Sequence, residues 1–276
     1  MERLPVIQAG RFTCSRSSLR LRPFIQCIWQ LAGDFRSSHD AFELMHPEGG
    51  WGFIFNLTEA SVMLNGLPYR SAVLVSGPGL QSVKFAVHGK ADLVGIRFVR
   101  GMAAGISGQS MSALVGFYGA ESDSELRLGT CQIAQQLALT TDSCERVALL
   151  ETWAEALFYR ASCPDARLVE KLRVLEQNQY LCSVNAVAKW SALGSRQLER
   201  YFRQWVGLTP KQFIRLQRIR TVRRMLNHRQ PTTERLTDIA YASGYYDQAH
   251  FNRDFRQMVG MTPGEYLCRA CERNAR

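Results

Sequence analysis

The sequence predicts an α+β chain in two domains: an N-terminal small β-barrel with flanking helices, and a C-terminal all-α domain carrying two helix-turn-helix units. Three observations lead there. Short β-branched and aromatic runs up to about Gly105 give way to helical periodicity from about Glu125. The surplus positive charge falls entirely in the C-terminal part. One helical segment is written twice, as "RYFRQWVGLTPKQF" from Arg200 and "RDFRQMVGMTPGEY" from Arg253. With 276 residues there is room for about two domains of ~150 residues each. An apolar content of 46% suffices for packed cores.

The opening stretch "MERLPVIQAGRFTCSRSSLR" has no apolar core of signal-peptide length, and no uncharged apolar run reaches the ~18 residues that span a bilayer. A cytoplasmic chain with no membrane partner is therefore expected. The runs "FIQCIWQL" (24–31), "GFIFNL" (52–57), "AVLVSG" (72–77), "VKFAVHG" (83–89) and "DLVGIRF" (92–98) read as strands. The turn signals "PEGG", "NGLP" and "GPG" punctuate them. Regular short strands of this kind suggest a small barrel or sandwich. Next, "CERVALLETWAEALFYRA" repeats Val147, Leu150, Trp153 with Ala154, and Leu157 with Phe158 at helical spacing. The expected boundaries are a first domain over 1–161, a linker over 162–167 and a second domain over 168–276.

The charge separates the two parts. Residues 165–276 hold 20 Lys+Arg against 10 Asp+Glu; chain totals of 34 and 24 leave 14 of each sign for residues 1–164. Of those 20 cations 17 are Arg, the side chain suited to bidentate phosphate and guanine contacts. The asymmetry suggests a nucleic-acid partner. Eight Cys are scattered, and only Cys268 and Cys271 form a C-x-x-C, with no second pair to complete a tetrahedral zinc site. Ordinary reduced cysteines are the better reading, with no metal and no cofactor.

The duplicated segment is a string of helix signals. Leu198, Tyr201, Phe202 and Trp205 form one apolar face; Phe251, Phe255, Met258 and Val259 form its counterpart. Gly207 and Gly260 suit the left-handed position that ends a helix. Thr209 and Thr262 then serve as N-caps before Pro, and Gln212 and Glu265 complete capping boxes. Leu208 with Phe213, and Met261 with Tyr266, are placed as hydrophobic staples. Upstream, "SVNAVAKWSALG" and "RLTDIAYASGY" align Ala188 on Ala240 and Ala192 on Gly244 at an offset of 52, against 53 for the frame itself. The extra residue falls in the turn. Small residues there let two helices cross closely, as a helix-turn-helix requires. The polar face of the following helix carries Ser195, Arg196, Gln197, Arg200 and Arg203 in the first copy. In the second it carries Asp247, Gln248, Asn252, Arg253 and Arg256. Most are side chains that read base edges or grip phosphates when a helix lies in the major groove.

Residues 168–270 resemble the DNA-binding domain of AraC/XylS-type transcription regulators. The stretches "GSRQLERYFRQWVGLTPKQFIRLQRIRTVRRML" and "LTDIAYASGYYDQAHFNRDFRQMVGMTPGEYL" carry the resemblance. It implies two helix-turn-helix units joined by one long helix, here "KQFIRLQRIRTVRRML" (211–226), with "NHRQPTTER" (227–235) as the loop into the second unit. The residues agree: Phe213, Leu216, Ile219, Val222 and Leu226 trace an apolar stripe, and Arg215, Arg218 and Arg223 lie off it. One departure is Gly194 where the family usually places a capping Ser, a change that costs only a few tenths of a kcal/mol. The resemblance also implies double-stranded promoter DNA and RNA polymerase as partners.

Residues 24–117 resemble, more weakly, the short cupin-like sensor domain of some of these regulators, through "HPEGGWGFIFNL" (46–57) and "LVGIRFVRGMAAGISGQSMSALVG" (93–116). That implies a small-molecule effector in the barrel, and helices near 125–160 that pack beside it or form a homodimer contact. Trp29, Trp51, Phe53, Phe55 and Arg97 are candidates to line the interior, Arg97 holding an anionic ligand. The alternative is that the aromatics are core and Arg97 is surface. The His-x-His of metal-dependent cupin enzymes is missing, since His39, His46 and His88 stand alone. The expected function is an effector-responsive, sequence-specific DNA-binding regulator, an activator and not an enzyme. Two alternatives remain: a regulator whose first half only dimerises or contacts a protein, and a DNA-repair protein that transfers methyl groups. The second would need a zinc-bound Cys cluster that Cys14, Cys27, Cys131, Cys144 and Cys163 do not space.

Overall fold

A computed structural model of the protein describes residues 10–35, 42–119, 124–161, 172, 174–175, 183–228 and 235–274. Strands β1 (Gly10–Ser15), β2 (Ile25–Asp34), β3 (Glu43–Met45), β4 (Gly52–Asn56) and β5 (Ser61–Leu64) come first. They are followed by β6 (Leu67–Tyr69), β7 (Val73–Ser76), β8 (Val83–His88), β9 (Lys90–Phe98) and β10 (Tyr118–Gly119). They form two antiparallel sheets, one in the order β1-β2-β9-β4-β7-β10 and one in the order β3-β8-β5-β6. Asn65 and Gly66, at φ 51° and 83°, close the β5–β6 hairpin. Both positive angles are what a two-residue hairpin turn demands, and Asn-Gly supplies them at least cost.

The central strands of the larger sheet, β9, β4 and β7, are buried on both faces, which explains their nearly unbroken apolar runs. All five residues of β4 are buried. Successive side chains alternate sides, so Ile54, Leu74 and Leu93 meet Val62, Leu64, Phe85 and Val87 of the smaller sheet. Phe53, Phe55, Val75, Val94, Ile96 and Phe98 point the other way, into a second core. Helices cover that face: α1 (Ala103–Ser107), a 3-10 turn at Met111–Leu114, α2 (Ser124–Leu139) and α3 (Ser143–Arg160). Trp153 and Phe158 of α3 meet Phe53, Phe55 and Phe98 edge to face at centroid distances of 5.4–5.7 Å. Asp142 caps α3 by accepting from the Cys144 and Glu145 N–H groups. Arg146 then clamps the helix to β9 through a two-pronged pair with Asp92 at 2.8 and 2.7 Å. The helices expected near 125–160 thus lie beside the sheets.

The C-terminal helices are α4 (Val184–Ser191), α5 (Ser195–Tyr201), α6 (Pro210–His228), α7 (Leu236–Ala242), α8 (Gln248–Val259) and α9 (Pro263–Asn274). A π-helical turn, Phe202–Val206, extends α5. They share a third core, from Val187, Leu198 and Phe202 through Leu216 and Val222 to Phe251, Phe255 and Tyr266. The linker expected at 162–167, and most of the loop after α6, lie outside the described residues.

The N-terminal half lies directly against these helices. Glu48, its side chain 15% exposed, pairs with Arg100 of its own half at 3.3 Å. The same carboxylate meets Arg220 and Arg223 of α6 at 3.0 and 3.5 Å. Ser82 donates its backbone N–H and its hydroxyl to the Met258 carbonyl of α8, at 2.8 and 3.1 Å. Trp205 packs into the helical core and the sheet–helix core alike.

Phe55 is fully buried between β4 and α3. Phe55→Ala should lower unfolding free energy by about 4 kcal/mol through the cavity it leaves, read as a fall in the urea midpoint.

Candidate nucleic-acid interface

Each helix pair is built by local signals. In the first, Ser183 caps α4 by accepting from the Ala186 N–H at 3.1 Å. Ala192 ends α4 in the left-handed region at φ 54°, and Gly244 holds the matching place after α7 at φ 79°. The alignment of these two positions marks the turn itself. From Ala192 the chain reaches the α5 N-cap, Gly194, after Leu193 alone; from Gly244 it reaches the α8 N-cap, Asp247, after Tyr245 and Tyr246. The second turn is one residue longer, which is the physical content of the shift from 52 to 53.

The reading helices then present opposite faces. Leu198, Phe202 and Val206 are buried in the first, and Phe251, Phe255, Met258 and Val259 in the second. Tyr201 and Trp205 are only half-buried, because the π-helical turn rotates the buried row onto Val206. Its signature is the Gly207 N–H bonding to the Phe202 carbonyl, where Gly260 bonds to Arg256 one residue nearer. Gly207 and Gly260 both end their helices at φ 85° and 86°. Thr209 N–H donates to Gln212 at 2.8 Å while Thr209 Oγ1 accepts from the Gln212 N–H at 3.2 Å. Thr262 and Glu265 repeat the exchange at 2.7 and 3.3 Å. These bonds hold the Glu265 carboxyl below the usual carboxylate range.

Ser195, Arg196, Gln197, Arg200 and Arg203 are exposed on the first reading helix; Asp247, Gln248, Arg253 and Arg256 are exposed on the second, and Asn252 is half-buried. Arg196, Gln197, Arg200 and Arg203 follow i, i+1, i+4, i+7, one side of one helix. Two of the ten have local duties as well. Asp247 accepts from the His250 N–H at 2.6 Å as the α8 cap. Arg203 meets Glu199 at 3.3 Å in an exposed pair worth little.

Asp254 is a residue that sequence reasoning missed. It receives Arg215 of the connecting helix at 2.8 Å and the Tyr245 hydroxyl at 3.5 Å. Burial first, and Asp254 second, push the Tyr245 hydroxyl well above the usual phenol range, so it stays a donor. Arg218 lies over the Tyr245 ring at 5.9 Å. The connecting helix therefore grips the second reading helix through Arg215, and the turn before it through Arg218; the place of both off the apolar stripe gave only a generic cation. Asp254 sits one turn after His250 in a polar row and carries no sequence signal of its own.

The five candidate effector residues divide between faces. Trp51 and Phe55 belong to the sheet–helix core, Trp51 at 2% exposure. Trp29 and Arg97 are half-buried on the opposite face, where Trp29 stacks on Phe12 at 6.2 Å and lies across Gly95. Phe53 goes with Phe55. Among the described residues no three His, Cys, Asp or Glu side chains gather for a metal. Cys268 and Cys271 are free and exposed; His39, Cys163 and Cys182 lie outside the described residues.

Gly194 caps α5 with no side-chain hydrogen bond, at φ −62°, and a Cβ there would meet nothing within 4 Å. Gly194→Ser should therefore supply the missing acceptor and raise stability by about 0.5 kcal/mol, measured as a higher urea midpoint; an unchanged or lower midpoint counts against this geometry.

Comparison with known proteins places a match on each half. Residues 187–269 match a helix-turn-helix domain, and residues 16–118 match a domain of unknown function, DUF6597. The chain is 34% identical over 110 residues to the HTH-type transcriptional activator RhaS of Klebsiella pneumoniae (strain 342), covering 39% of this chain and 38% of that protein. It is 36% identical over 102 residues to RhaS of Enterobacter sp. (strain 638), covering 37% and 36%. The chain thus spans little more than a third of the curated relatives it matches. Among solved structures it is similar to an AraC-type transcriptional regulator from Chromobacterium violaceum (27% identity, 38% of this chain and 91% of that one, TM-score 0.34). It is also similar to ToxT from Vibrio cholerae (8% identity, 94% and 98%, TM-score 0.45). Among the described residues no helix is long and apolar enough to cross a membrane. Through its two helix-turn-helix units, the domain over residues 187–269 is of the kind found in AraC-type transcription regulators.

Proposed function

We propose that the chain is a sequence-specific DNA-binding transcription activator of the cytoplasm. The observation that carries this is the pair of exposed, differently written polar faces on two helix-turn-helix units of one chain. Arg196 and Gln197 head the first face and Gln248 the second. Arg and Gln at the start of a reading helix suit guanine and adenine edges, and the flanking arginines suit phosphates. Because the heads differ, one protomer reads two unlike elements in adjacent major-groove segments about one turn (~34 Å) apart. The activator relatives favour a role in recruiting RNA polymerase, and a homodimer would add a second site.

The N-terminal half supplies the regulatory input in this reading, as a small cupin-like barrel that takes an anionic effector. Arg97 supports it: its Nε is enclosed without a hydrogen-bond partner, near the half-buried Trp29 on the same sheet face. A small carboxylate that binds the folded chain should raise its melting temperature, and Arg97→Met should remove that rise.

Duplexes selected by the full chain from a randomised pool test the DNA reading. Arg196→Ala and Gln248→Ala should each cost about 1–3 kcal/mol on the selected duplex and relax preference at one base pair. Arg203→Ala or Arg256→Ala should weaken selected and scrambled duplexes alike, and lower the slope of log K against log salt by about 0.9 for each phosphate lost. Equal losses on both duplexes for Arg196 and Gln248 would reassign them to the backbone.

A further inference from the structure

The N-terminal half touches the DNA-binding unit at the ends of both reading helices, along the connecting helix and at α9. Ser110 donates to the Arg203 carbonyl at 3.3 Å near the end of the first reading helix. The Met111 carbonyl lies so close over Gly207 that a Cβ there would come within 2.7 Å of it. Ser82 holds the Met258 carbonyl at the end of the second reading helix, and His46 links Ser82 to Tyr266 of α9. Gly49, at φ 64°, sits where a side chain would strike Leu216 of the connecting helix at 2.7 Å. Arg196, Gln197, Arg200, Gln248, Arg253 and Arg256 meanwhile stay exposed. A cleft of about 670 Å³ separates Ala104, Gly105 and Gln109 from Arg200 and Arg203.

The charge at this seam centres on one carboxylate. Arg100 lies on one side and Arg220 and Arg223 on the other, and Glu48 meets all three within 3.5 Å. Arg100 also donates its Nε–H to the Glu48 carbonyl, so the loop that carries Glu48 is itself braced. Without Glu48 the two halves would face each other with like charges. Burial alone would push its carboxyl up, but Arg220, Arg100, Arg223 and Arg97 outweigh that and hold it below the usual range, ionised.

We propose that Glu48 is a positioning residue for DNA reading. It locks the N-terminal half onto the connecting helix, and the docked half then sets the two reading helices at one fixed spacing and angle. This rests on the DNA-binding reading above. The docked state is the reading-competent one, because its contacts fall on helix ends and backbone carbonyls while the base-reading side chains remain open. A fixed spacing matters only where both elements are engaged at once, so the lock acts on two-element sites and not on single elements.

The test uses the full chain, a two-element duplex recovered from a randomised pool, and the same duplex with either element scrambled. Hydrogen exchange of the Ser82 amide reports the lock itself, since that N–H is bonded across the seam; the Ile96 amide, inside the sheet, reports the fold. Glu48→Gln should speed Ser82 exchange at least tenfold with Ile96 unchanged. Two-element affinity should fall about tenfold, and single-element affinity should stay within twofold. Glu48→Asp, which keeps the charge, should recover most of both, and Arg220→Gln should reproduce a milder form if Glu48→Gln fails to fold. Unchanged Ser82 exchange would overturn the lock. A rise in two-element affinity would overturn the competent docked state, and equal loss on single elements would overturn the positioning role. If the wild-type chain recovers no duplex at all, the DNA-binding reading fails and the positioning role with it, while Ser82 exchange still decides the lock.

Discussion

Both reading helices depend on how a helix is stopped and restarted within three residues. Gly207 and Gly260 turn the chain at positive φ, and the next Thr begins a new helix whose first N–H groups it satisfies together with Gln212 or Glu265. An uncapped end would leave several backbone groups unpaired, and a frayed stop would let the reading helix rotate against the helix that follows. The apolar staples seat the joint: Leu208, Phe213 and Tyr266 are each at most 2% exposed. Once that joint is rigid, the direction in which Arg196 or Gln248 points is a property of the backbone.

The two copies obtain the same joint by different local means. The second unit has an acidic cap, Asp247, a glycine in its turn and a regular α-helical end. The first has an uncapped Gly194, an alanine held at φ 54° and a π-helical end. An alanine in the left-handed region and a π-helical turn are both uphill choices. They occur in the unit whose far end is pressed against Met111 and whose Trp205 packs into both cores. Packing from the N-terminal half is positioned to offset local strain that the second unit does not carry.

Much of this was legible in the sequence, because caps, stops and apolar stripes act over a few residues. The stripe Phe213–Leu216–Ile219–Val222–Leu226 lies buried where its spacing put it. The inner strands of the larger sheet, β2, β9, β4 and β7, were legible for the same reason, since burial makes them apolar runs. The shorter strands β3, β5 and β6 were not, at three or four residues each. Nor could alternation tell which face of β4 meets helices and which meets the second sheet, so Trp51 and Phe55 were grouped with Trp29 across a sheet that separates them. Long-range polar pairs left no trace: Arg146 with Asp92, Arg215 with Asp254 and Glu48 with Arg220 are each joined only by the fold.

Glu48 shows why such pairs matter to function more than to stability. Removing a carboxylate and guanidiniums from water costs about as much as their attraction returns, so a buried ion pair adds little net folding energy over apolar packing. What it adds is selectivity among arrangements. An apolar seam tolerates sliding, whereas a carboxylate caught between arginines from two directions loses its compensation as soon as either side shifts. A chain that must hold two reading helices at one separation gains from that intolerance. The close approaches of Gly49 to Leu216 and of Gly207 to the Met111 backbone, with Trp205 packed into both cores, bring the halves together. The charge at Glu48 decides in which register they stay.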